Sequence, residues 1–185
     1  MGEGGHALFD TAIGVCGIAW GPGGIVAVQL PESDAARTRM RLLKGLPESP
    51  EEPVPPAEVQ AAIEGIRALL GGETRDLREI ALNMDRLTPF QRDVYAMARG
   101  IPPGQTLTYG DVARALGDPG LARAVGQALG HNPFAPIVPC HRVLAAGARS
   151  GGFSAGGGVA TKLRMLQIER ARFGDAPGLF DEVPS

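Results

Sequence analysis

Cysteine is scarce in this chain of 185 residues: there are two, Cys16 and Cys140. Two thiols exclude a disulfide framework and an all-cysteine zinc site. Histidine is almost as rare, with His6, His131 and His141 scattered along the sequence, so no metal-ligand cluster is apparent and no metal is expected. Aromatic residues make up only 5%. No run of about 18 uncharged apolar residues is present to cross a membrane as a helix. The start, Met1-Gly2-Glu3-Gly4-Gly5-His6, lacks the basic and apolar stretches of a secretion signal. A cytoplasmic location with both thiols free is the expectation.

Charge is nearly balanced overall, at −2, but unevenly placed. Residues 1–87 hold 8 Lys+Arg against 13 Asp+Glu, or −5. Residues 88–172 hold 10 against 4, or +6, and residues 173–185 carry −3. A basic half on an acidic chain suits a polyanion-binding module. It equally suits an Arg-rich solvated surface.

Residues 8–30 read as two short strands around the turn Gly21-Pro22-Gly23-Gly24. Asp34 to Leu43 reads as a helix, Pro47 to Pro56 as a loop, and Ala57 to Leu70 as an amphipathic helix with Val59, Ile63, Ile66 and Leu70 on one face. Thr88-Pro89 starts the next helix, with threonine as cap and proline in the first turn. After Pro102-Pro103-Gly104, Thr108 caps a second helix, and Gly117-Asp118-Pro119-Gly120 turns into a third from Leu121 to Leu129. Two short helices around a glycine-containing turn read as a helix-turn-helix. Ala160 to Arg172 reads as the last helix. In the third helix Ala122, Ala124, Gly126 and Ala128 surround one cation, Arg123. Such smallness serves close helix packing, or a helix lying in a nucleic-acid groove with one long side chain projecting.

The segment Ile137-Val138-Pro139-Cys140-His141-Arg142-Val143 carries the chemistry. A cysteine beside a histidine is either an activated nucleophile or a small core residue with an incidental neighbour. The motifs around it decide. Thr88-Pro89-Phe90-Gln91, Thr108-Tyr109-Gly110-Asp111-Val112-Ala113, Ala122-Arg123-Ala124-Val125-Gly126, Asn132-Pro133, Ile137 to Val143 and Ser150-Gly151-Gly152-Phe153-Ser154 occur in order, followed by a helix from Lys162 to Glu169. From Thr88 to Arg170 the chain resembles the O6-alkylguanine-DNA alkyltransferases, or methylated-DNA–protein-cysteine methyltransferases.

The resemblance implies a variable α/β amino-terminal domain, a small sheet with helices, over residues 1–87. A mainly helical, winged helix-turn-helix-like catalytic domain follows over 88–173, and then a tail, 174–185. It implies irreversible, single-turnover transfer of an alkyl group from O6-alkylguanine in DNA, with O4-alkylthymine as an alternative donor. Cys140 is then the acceptor, His141 its base through a water, Glu169 the carboxylate that orients His141, and Asn132 the amide that ties the cysteine loop to the helix-turn-helix. Arg142 is expected to be structural. Arg123 would fill the space of a flipped nucleotide, Tyr109 would help rotate it, and Ala122, Ala124, Gly126 and Lys162 would lie toward the DNA. Ser154 would contact O6, the Val143 carbonyl the guanine amino group, and Phe153, where many members have tyrosine, would wall the alkyl pocket. The implied partner is double-stranded DNA, bound in the minor groove by a monomer, without membrane or cofactor. Two rival functions remain: a lesion sensor, which the presence of Cys140 opposes, and a cysteine hydrolase, which needs an oxyanion hole that no motif supplies.

Overall fold

The computed structural model describes residues 3–46, 48–146 and 158–171. The first half is built on a three-stranded antiparallel sheet in the order β1-β2-β3, with β1 at Gly5–Thr11, β2 at Gly14–Gly21 and β3 at Gly24–Gln29. Strand β1 is additional to the two strands read from sequence. Its first residues follow a glycine-rich start and show little alternation, so pairing with β2 defines it: Phe9 stands opposite Cys16 and Ala7 opposite Ile18. Ala7, Phe9, Cys16 and Ile18 are buried.

Helix α1 (Ala35–Leu43) lies against β2 and β3, and α2 (Ala57–Leu70) against β1. Asp34 caps α1 by accepting from the Arg37 amide at 2.8 Å. The proline-rich loop is not free of the sheet. Its residues Pro50 and Glu52 pair with His6 through bonds of 2.9 Å, which covers the outer edge of β1.

The second half is helical. Helix α3 (Pro89–Arg99) opens on a capping box in which Thr88 and Gln91 each satisfy the other's backbone. Strand β4 is Leu107–Thr108. Helix α4 (Tyr109–Ala115) opens on a second such box, Thr108 with Asp111. A 3-10 turn at Pro119–Leu121 leads into α5 (Ala122–Gly130). Helices α3 and α4 both pack on α5. Strand β5 (Val143–Leu144) pairs in parallel with β4, and α6 spans Gly158–Ile168. The last helix therefore stops before the Arg172 expected from sequence: Glu169 and Arg170 form a turn, Arg170 with φ of 54°.

One apolar cluster runs from Phe9, Ile18 and Ile25 of the sheet through Ile66 of α2 to Val94, Val125, Phe134 and Val143 of the helical half. The sheet thus shares its core with the segment that carries Cys140. It also holds that segment directly, because the Val28 amide of β3 donates to the Pro133 carbonyl at 2.8 Å. Among the described residues no helix is long and apolar enough to cross a membrane.

Candidate active site

Cys140 is presented by a short, cross-braced loop that leaves the end of α5. Asn132 braces it twice: its amide nitrogen donates to the Val138 carbonyl at 2.8 Å, and its amide oxygen accepts from the Phe134 amide at 2.9 Å. The Cys140 amide donates to the Val138 carbonyl at 2.9 Å, and Cys140–Arg142 then form a 3-10 turn. The β5–β4 pairing follows at once, so the turn is fixed at both ends.

Cys140 is 5% exposed and His141 fully buried. The imidazole Nε2 lies 2.7 Å from Glu169 Oε1. Glu169 is itself gripped by Arg142, whose Nε donates to Oε2 at 3.0 Å and whose Nη2 donates to Oε1 at 2.7 Å. The remaining arm of Arg142, Nη1, donates to the Ile101 carbonyl at 2.7 Å. Arg142 is therefore part of the site: it holds the carboxylate that holds the histidine. Its place beside Cys140 and His141 is visible in sequence, but the contact that gives it this work spans 27 positions.

The electrostatics set the protonation pattern. Burial alone would raise the Glu169 carboxyl, but His141 and Arg142 outweigh it and bring it down to about 2. Glu169 is thus an anion and accepts from His141 Nε2–H. Burial pulls the imidazole below its ordinary value against the pull of Glu169, so His141 is neutral near pH 7. With the proton on Nε2, Nδ1 carries the lone pair. That Nδ1 is buried and finds no protein partner among the described residues. It is a base with a free acceptor site, on the residue next to the thiol.

Burial pushes the Cys140 thiol up to about 11, although the Asn132 amide and the Lys162 ammonium pull it down. Cys16, sealed in the sheet, is pushed to about 12, relieved only by Thr11. The Cys140 thiol thus rests protonated, and its activation requires proton removal as it attacks rather than a standing thiolate.

The other residues singled out from sequence fall in three places. Tyr109 is half-buried at the start of α4, and the ring faces Gly126 of α5, where an added Cβ would meet it at 3.5 Å. That is an ordinary contact, so the interior does not demand glycine at this position. Arg123 is exposed in the first turn of α5, between half-buried Ala122 and Ala124. Its side chain makes no hydrogen bond or ion pair among the described residues. Lys162 is not on a DNA-facing surface: it is 1% exposed, its ammonium donates to the Val143 carbonyl at 3.1 Å, and burial lowers its pKa against the pull of Cys140. The carbonyl singled out for the substrate is thus already partnered by Lys162. Phe153 and Ser154 lie outside the described residues. No group of three or more His, Cys, Asp or Glu among the described residues could hold a metal ion.

Known proteins resemble this chain. A family model described as the DNA-binding domain of 6-O-methylguanine DNA methyltransferase matches residues 89–171. A methylated-DNA–protein-cysteine methyltransferase of Mycobacterium tuberculosis is 42% identical over 127 residues, covering 68% of this chain and 74% of that protein. One of Methanothermobacter thermautotrophicus is 33% identical over 164 residues, 89% of this chain and 81% of that protein. Among solved structures, Mycobacterium tuberculosis OGT in complex with DNA aligns with a TM-score of 0.70 at 33% identity, covering 90% of this chain and 94% of that one. These likenesses take in the sheet as well as the helical half. The chain belongs to the methylated-DNA–protein-cysteine methyltransferase family.

Proposed function

We propose that Cys140 is the alkyl acceptor of a single-turnover DNA repair reaction. The reaction is the family's: alkyl transfer from DNA to a cysteine of the protein. Cys140 Sγ attacks the alkyl carbon on guanine O6, the carbon–oxygen bond breaks, and a thioether forms. The thiol proton passes through a bridging water to His141 Nδ1, and the guanine keeps the bonding pair as an anion and takes up a proton from water, which leaves ordinary guanine in the DNA. Glu169 balances the imidazolium as it forms, and Arg142 keeps Glu169 in place. The observation that carries this reading is the pairing of His141 Nε2 with Glu169 Oε1 at 2.7 Å, which leaves Nδ1, on the residue next to Cys140, buried and without a partner among the described residues.

The substrate is O6-alkylguanine in double-stranded DNA, with O4-alkylthymine offering the same kind of leaving oxygen. A base in the stack hides O6, so the nucleotide must swing outward. Helix α5 enters the minor groove with the small residues Ala122, Ala124 and Gly126 against the DNA. Arg123 takes the vacated place, and Tyr109 turns the extruded nucleotide toward Cys140. Ser154 and the Val143 carbonyl then read the guanine beside a pocket walled by Phe153. Lys162 acts from inside as a buried cation that favours the developing thiolate. Residues 88–173 form the winged helix-turn-helix-like catalytic domain of a cytoplasmic monomer. The amino-terminal domain, 1–87, supports its cysteine loop through Val28 and Pro133. No cofactor takes part.

Intact mass after incubation with an O6-methylguanine duplex tests the reaction. The expected result is a gain of one methyl per chain, mapped to Cys140, with no further turnover. No gain, as for a lesion sensor, or repeated turnover on an ester, as for a hydrolase, overturns it.

Arg123 gives a second test. Arg123→Ala is expected to slow repair of duplex DNA by about 10-fold or more while leaving reaction with free O6-benzylguanine nearly unchanged, because a free base needs no extrusion. Binding should weaken as salt rises, through release of counterions from the phosphates. Equal losses on the two substrates would place Arg123 in the pocket or the fold instead.

A further inference from the structure

Tyr95 is the largest fully buried side chain among the described residues, and the reaction above makes no use of it. A phenol sealed in a core must find a partner for its hydroxyl. It finds one on α5: Tyr95 Oη donates to the Ala128 carbonyl at 2.7 Å. Ala128 is in the last turn of α5, where carbonyls lose their regular partners. The backbone replaces them poorly here. The His131 amide reaches the Ala128 carbonyl only at 3.3 Å, shared with Gln127, and the Asn132 amide turns to Leu129. The short bond to that carbonyl comes from Tyr95. The same ring stands edge-on to Phe134, with centroids 6.4 Å apart, and the Phe134 amide is held by Asn132. One side chain thus grips both the end of α5 and the loop that carries Cys140.

The other end of α5 is held by packing on α4 and on the 3-10 turn, without a side-chain bond. Its N-cap is Leu121, with no side-chain bond to the free amides. Arg123 lies five residues before Ala128, about 7.5 Å along the helix axis. Helix α5 is only nine residues long, so its tilt is sensitive to what holds its C-terminal turn.

We infer that Tyr95 is a positioning residue for duplex repair. Its hydroxyl sets the angle of α5 over the cysteine loop, so that Arg123 enters the stack at the nucleotide delivered to Cys140. This rests on the extruding role given above to Arg123. It adds that the register between extrusion and transfer is held from inside the core, by a residue that touches neither DNA nor the reacting atoms.

The test is Tyr95→Phe in the full chain, which keeps the ring and removes the bond. The rate on an O6-methylguanine duplex should fall about tenfold, the worth of one buried hydrogen bond, with the rate on free O6-benzylguanine within about twofold of wild type. Hydrogen exchange should quicken at the amides of residues 129–132 and stay unchanged in α2. Phe134→Leu, which loosens the same core but leaves the hydroxyl bond, should keep the wild-type ratio of the two rates. Equal losses on both substrates, an unchanged duplex rate, or the same altered ratio in Phe134→Leu would each overturn the inference. Failure of the repair reaction itself reads differently, because the wild-type chain would then take no methyl from the duplex.

Discussion

Cys140→Ala should end alkyl transfer entirely while leaving DNA binding close to wild type. The argument begins with the count of thiols: the chain has one other, and it is in the wrong place. Cys16 sits in β2 with no exposure, its sulfur 3.8 Å from Thr11 Oγ1, and burial pushes its thiol to about 12. Among the described residues its one polar neighbour is Thr11, which is no base. Cys140 has the buried Nδ1 of His141 on its neighbour, and the Asn132 amide and the Lys162 cation both pull its pKa down. Sulfur is the atom that forms the new bond, so no residual transfer is expected without it. Binding should survive because Cys140 offers almost no surface, and the arginines of the helical half are untouched. Stability should fall by only about 1 kcal/mol, the cost of losing roughly one buried heavy atom. Repair assays, duplex binding and melting of the same variant measure the three effects. A methyl group found on Cys16, or demethylation by the variant, would refute the assignment.

The features read correctly from sequence are those written locally. Thr88 and Thr108 read as helix caps, and the structure shows both as caps, each completed to a box by Gln91 or Asp111. Helix α2 follows its apolar spacing from Ala57 to Leu70. The Pro-Cys-His-Arg run is likewise compact, so Cys140 and His141 were legible together. What escaped is non-local. Strand β1 is defined by its partner β2 rather than by alternation of its own. The grip of Arg142 on Glu169 crosses 27 positions, and the bond from Tyr95 to Ala128 crosses 33. Pairings of that kind leave no period in the sequence, and a tyrosine on the apolar face of α3 reads only as core. Lys162 shows the converse error. The resemblance sets it toward the DNA, yet it is buried and its ammonium donates to the Val143 carbonyl. The end of α6 was also overrun. Helical spacing continues past Ile168, but the Glu169 amide makes the last regular bond, to the Met165 carbonyl, and Arg170 with φ of 54° turns the chain so that the Ala171 amide closes on the Leu166 carbonyl.

Glu169→Gln should be among the most destabilising single changes in the helical half, and a second substitution should restore stability without restoring repair. The Glu169 side chain is 3% exposed and that of Arg142 6%. Removing the carboxylate charge leaves a buried guanidinium with the Ile101 carbonyl and a neutral amide for company. Stranding one member of a buried ion pair costs about 3–5 kcal/mol, a large share of the stability of a typical domain. Replacing both members by apolar residues of similar volume is close to neutral. The double variant Arg142→Met/Glu169→Leu should therefore melt well above Glu169→Gln. It should still transfer alkyl groups as slowly, because His141 Nε2 has lost the acceptor that fixes its tautomer. Acid adds a check with a defined sign. The folded Glu169 pKa, about 2, is below its unfolded value of about 4.3, so its ionisation stabilises the fold above that value and the benefit is lost as pH falls toward 2. His141 is also depressed in the folded state, so its term weakens stability as pH drops below about 6.5. Wild-type stability should decline from pH 7 to pH 3 in both ranges, and the double variant should lack the part below about 4.3. Denaturant melts across pH, with single-turnover rates on an O6-methylguanine duplex, measure each quantity. A double variant no more stable than Glu169→Gln would mean that the Arg142–Glu169 pair does not carry the coupling, and a double variant with wild-type repair would free His141 from any need of its carboxylate.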